Sequence, residues 1–109
     1  MARKPATTID ILGTRYRVYR QRIYSPRSIC TEDEECAGFC ENPRLYLRRP
    51  KEILISSKLR GRELCDTICH EALHALDFEK NEEWVEHGGN VISELLFTPP
   101  FDELIWEHA

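Results

Sequence analysis

Apolar and polar residues alternate along the first part of the chain and then switch to a helical period. Residues 8–12 and 16–23 alternate with a period of two, the pattern of half-buried strands, and Gly13-Thr14 supplies turn chemistry between them. In the second run Tyr16, Val18 and Arg20 share one face, while Arg15, Arg17 and Tyr19 share the other. That predicts a sheet with one face covered and one wet. Ser25-Pro26 ends the run. Residues 44–49 and 52–56 read as a second strand pair around Pro50-Lys51.

From Arg62 onward the period is that of a helix. Advancing ~100° per residue from Leu64 puts Ile68, Ala72, Cys65, Leu76, Cys69, Leu73 and Ala75 on one half of the wheel. Asp66, Thr67, His70, Glu71, His74, Asp77 and Phe78 fall on the other half. One side is predicted to enter a core and the other to face a cleft. Residues 81–97 read as a second helix, with an apolar arc of Trp84, Val85, Gly88, Gly89, Val91, Ile92, Leu95 and Leu96. Each glycine costs about 1 kcal/mol against alanine inside a helix, so Gly88-Gly89 reads as allowance for close approach to the first helix. Thr98-Pro99-Pro100 stops the second helix, and residues 101–109 read as a short apolar tail helix.

The polar half of the first helix carries His70-Glu71-Ala72-Leu73-His74. Histidines four apart stand on one helix face, where both imidazoles can reach one zinc ion at about 2.0–2.1 Å. Glu71 between them is placed to take a proton from a zinc-activated water. A catalytic zinc needs a third protein ligand. Glu82 lies at the edge of the second helix's apolar arc, where two packed helices meet, and ranks first. Glu86 is the alternative, either as ligand or as a partner for an imidazole N–H. Asp66 and Asp77 lie beside His70 on the wheel and are further candidates to hold an imidazole. His87 points outward, and Cys65 and Cys69 sit on the apolar arc as small core residues.

His70-Glu71-x-x-His74 followed by Asn81-Glu82 and an acid four residues on resembles the gluzincin metallopeptidases. It is most similar to small gluzincin-like and SprT-like proteins of phage and bacterial type. The segment Ile9-x-x-x-Gly13-x-x-Tyr16-x-Val18 and the run Ile53-Leu54-Ile55 fit the strands that precede the helix in that family. The resemblance implies a zincin-like α+β domain: a small, mostly antiparallel sheet, an H-E-x-x-H active helix and then a glutamate helix. It implies one zinc ion, hydrolysis of peptide bonds, and a peptide or protein substrate. It also implies an edge strand near the active helix that receives an extended substrate, for which Ile53, Leu54, Ile55 and Ser56 are the candidates. The gap from His74 to Glu82 is shorter than in the larger gluzincins, and Glu86 stands where they carry aspartate. A tyrosine such as Tyr46 is a candidate to steady the oxyanion.

Composition changes this picture little. The 109 residues suit one domain, here residues 1–109 with residues 30–43 as an insertion. No apolar run approaches the ~18 residues of a membrane span, and residues 1–5 lack the apolar core of a secretory signal. A cytoplasmic protein is expected. The net charge of −4 divides into +7 up to Arg62 and −11 beyond it. The basic part is a candidate nucleic-acid surface; pairing with acids of the helical part is the simpler expectation. The insertion carries Cys30, Cys36 and Cys40 around a run of four acids. Its spacing matches no zinc knuckle, so a solvated loop with free thiols is favoured over a second zinc site.

Overall fold

A computed structural model of the chain describes residues 4–23, 37–44 and 50–106. In it the alternating N-terminal segment is an antiparallel hairpin of β1 (Thr7–Ile11) and β2 (Thr14–Gln21). Leu12 and Gly13 form its two-residue turn, both at positive φ, 48° and 83°. This is the turn whose twist matches paired strands.

The sheet is completed by β3 (Gly38–Cys40) and β4 (Lys51–Ser56) in the order β1-β2-β4-β3. β2 and β4 are parallel, with Tyr16 beside Lys51 and Val18 beside Ile53, while the other two pairings are antiparallel. The sheet is therefore mixed. This corrects the expected edge strand. Ile53, Leu54, Ile55 and Ser56 lie in an interior strand, paired with β2 on one side and with β3 on the other. Ser56 N–H donates to the Ala37 carbonyl at 2.8 Å, and Glu41 N–H to the Glu52 carbonyl at 2.9 Å, which extends that pairing past both ends of β3. Alternation tells which face a residue takes; it does not tell which strand lies beside it. Most of the strand expected at 44–49 lies outside the described residues, and Arg44 itself is in a turn.

Both faces of the sheet carry buried side chains, so neither is simply wet. Tyr16, Cys40, Ile53 and Ile55 pack with Ala75 of the first helix, while Tyr19, Ile23 and Leu54 cluster on the opposite face. Cys40 is thus a core residue of β3 and not part of a solvated loop. Cys30 and Cys36 lie outside the described residues.

Helices α1 (Gly61–Leu76), α2 (Glu82–Leu96) and α3 (Phe101–Trp106) follow. α1 lies on the sheet, and α2 packs on α1. Gly89 permits that second contact. A Cβ there would stand 3.3 Å from the His70 amide nitrogen and 3.4 Å from its Cα. The apolar arcs are only partly used. α1 buries Glu71 and Ala75 but leaves Ile68 and Leu76 half exposed; α2 buries Val85, Gly89 and Ser93 but leaves Trp84, Val91 and Leu95 exposed. Arg44 pairs with Glu79 and Arg62 with Asp66, so basic residues of the first part do meet acids of the second. Among the described residues no helix is long and apolar enough to cross a membrane.

Candidate metal centre

α1 ends at Leu76, and the turn to α2 is shaped by two short polar side chains. The Asp77 carboxylate accepts the Glu79 N–H at 3.1 Å, and the Asn81 side chain caps α2 by accepting the Trp84 N–H at 2.7 Å. Such side chains compete well for backbone donors just outside helices. The tight turn returns the first residue of α2, Glu82, to the last turns of α1.

There Glu82 meets both histidines. His70 Nε2 lies 2.6 Å from Glu82 Oε1, and His74 Nε2 lies 3.0 Å from Glu82 Oε2. The two Nε2 atoms are 3.2 Å apart. In a tetrahedral site with bonds of about 2.0–2.1 Å, neighbouring donors stand about 3.3 Å from one another. The imidazoles already have that spacing, while the carboxylate oxygens sit inside it, by about 0.3 Å at His74 and about 0.7 Å at His70, as hydrogen bonds draw them. The donor set of two nitrogens and a carboxylate suits a divalent transition metal, zinc among them. Burial, together with the neighbouring His70, holds the His74 pKa below its usual value against the opposing pull of Glu82. The neutral ring is the form that binds metal. Glu82 remains largely exposed, so the group opens to solvent on one side.

Glu71 sits differently from its place on the wheel. It turns toward the sheet and is only 6% exposed. Gly38 of β3 makes room for it: a Cβ at that position would fall 2.6 Å from Glu71 Oε2 and 2.8 Å from Thr67 Cγ2. Burial, then the charge of Glu82, pushes the Glu71 carboxyl up to about 8. The same environment keeps Cys40 a neutral core thiol: burial first, then the Glu71 charge, pushes it up to about 12.

Several expected partners are elsewhere. Glu86 is exposed and contacts neither imidazole among the described residues, because one helical turn carries it away from α1. Asp66 is held by Arg62 at 3.3 Å, and Asp77 is spent on the turn, so neither supports a histidine. His74 Nδ1 is buried with no hydrogen-bond partner among the described residues. His87 points outward, 3.8 Å from Glu83. Tyr46 lies outside the described residues. Sequence reading missed Gly38. A glycine between Ala37 and Phe39 at the start of a three-residue strand leaves no periodic signal, and its role depends on a helix far along the chain. No protein family, curated protein or solved structure matches the chain.

Proposed function

We propose that the protein is a zinc-dependent metallopeptidase of gluzincin-like type, with His70, His74 and Glu82 as ligands and Glu71 as general base and acid. The reading rests on one observation. Two Nε2 atoms 3.2 Å apart share a carboxylate brought from the following helix. Zinc held there would supply Lewis acidity, polarising a peptide carbonyl and lowering the pKa of water. Glu71 takes the proton of the attacking water and returns it to the leaving amine nitrogen as the C–N bond breaks. Its seat between Gly38 and Thr67 limits where the carboxyl can move. β3 pairs with β4 alone among the described residues, so its outer edge, next to α1, takes over the role expected of Ile53 to Ser56. An extended peptide adding there as a further strand would pass close to Glu71.

Native mass spectrometry combined with a proteolysis assay tests the proposal. The purified chain should carry one zinc, and His70→Ala should lose it. Glu71→Gln should keep the zinc while hydrolysis of an unfolded substrate such as casein falls about 100-fold or more. Zinc bound with no hydrolysis by the unaltered chain would instead make this a structural zinc module. No zinc in either form would remove the site altogether.

A further inference from the structure

α1 carries a second pair of metal-type donors at the spacing of His70 and His74. Cys65 and Cys69 stand four residues apart on its apolar arc, where the helical period predicts core residues. The structure leaves both half-buried and free, on the wall of a cavity of about 420 Å³ between α1 and the chain from Leu96 to Trp106. The two thiols are within hydrogen-bonding reach of each other.

Helix geometry disfavours a direct bond between them. Side chains four apart have Cβ atoms about 5–6 Å from one another, whereas a disulfide holds them at about 3.5–4.5 Å. A disulfide would therefore have to bend α1. An ion between the sulfurs needs no such bend, because two in-line bonds of about 2.2–2.3 Å hold them roughly 4.5 Å apart.

The walls decide which ion fits. Leu64, Ile68, Leu96, Phe97 and Trp106 are the other side chains of the cavity, and among the described residues it has no imidazole or carboxylate lining it. The Trp106 indole N–H is spent on the Leu96 carbonyl at 3.0 Å. His70 and His74 turn away from the cavity, toward Glu82. Zinc in a sulfur site takes four ligands, and here it would find two. A soft monovalent ion with a filled d shell is satisfied by two thiolates, the donors that select it. The apolar wall opposite denies it the water ligands that a harder ion requires.

We propose that Cys65 and Cys69 form a two-coordinate site for a soft monovalent metal ion, cuprous copper. Binding breaks two S–H bonds, forms two S–Cu bonds and releases two protons to solvent. Copper stays cuprous throughout, so no oxidant or reductant takes part. Water at the half-buried thiols meets the single negative charge left on the complex. The site is separate from the chemistry at His70 and His74 and does not depend on it.

Anaerobic titration of the reduced full chain with the coloured cuprous–bicinchoninate complex tests the proposal. Cys30→Ser and Cys36→Ser, introduced together, first remove the two thiols that lie outside the described residues. That chain should withdraw one copper ion, and an excess of zinc should leave the copper in place. Adding Cys65→Ser or Cys69→Ser should weaken binding by about 100-fold or more, since even an outer partner of a metal ligand contributes up to that much. Both thiols are half-buried, so the smaller serine leaves the core intact, and an unaltered circular-dichroism spectrum checks the fold. His70→Ala should bind copper as tightly as before. X-ray absorption at the copper edge should show two sulfur neighbours and no nitrogen. A chain that withdraws no copper overturns the proposal. So does copper that survives both serine variants, that zinc displaces, or that has imidazole nitrogen among its neighbours.

Discussion

Leu12 stands at φ 48° in the hairpin turn, with its side chain 81% exposed. A leucine there gains no burial and bears the left-handed penalty of roughly 1 kcal/mol that asparagine largely avoids. Leu12→Asn, which creates the Asn-Gly turn, should therefore raise stability by about 0.5–1 kcal/mol in urea denaturation. An unchanged or lower midpoint would contradict the turn geometry. Cys40 gives a second expectation at this scale. Its folded pKa is raised, to about 12, so the folded state binds that proton more tightly than the unfolded chain does. Its contribution is complete below the ordinary thiol pKa near 9 and is lost as pH rises through 12. Between those limits Cys40→Ala should show a shallower alkaline fall in stability than the unaltered chain, read from denaturation midpoints at stepped pH.

At the scale of elements, two close approaches fix the candidate site. β3 meets α1 where Gly38 admits the Glu71 carboxyl, and α2 meets α1 where Gly89 lies on the His70 backbone. The second neighbour is main chain and yields little. Gly89→Ala gains helix propensity of about 1 kcal/mol but forces the helices apart. The net effect should be destabilising by about 1 kcal/mol. Zinc affinity should fall as well, because Glu82 rides on the displaced helix. Calorimetric titration with zinc measures the affinity and denaturant melts measure the stability. A more stable variant with unaltered affinity would show that the contact does not position Glu82.

For the whole molecule, the candidate metal donors come from two helices that only the folded chain brings together. A metal that binds the folded state and not the unfolded one stabilises it by mass action, about 2.7 kcal/mol at a hundredfold excess over Kd. Adding zinc to the chelator-stripped protein should raise Tm by several degrees. The gain should vanish in His70→Ala and shrink in Glu82→Gln. An equal gain in His70→Ala would place the metal elsewhere.

Local sequence was enough for features that repeat or lie close together. The hairpin, the two long helices and the shared face of His70 and His74 follow from residues a few positions apart, because period and turn chemistry are local properties. Glu82 could be ranked above Glu86 for the same reason, since the edge of an apolar arc marks where helices meet. Features built from distant segments could not be read in this way. These are the interior place of β4, the edge strand Gly38–Cys40, the burial of Glu71 behind Gly38, and the arcs that stay bare. A wheel or an alternation says which residues share a face. Only the packing of strands and helices far apart in the chain decides what each face meets, and so which carboxylate is buried, which histidine nitrogens converge and which apolar surface stays bare.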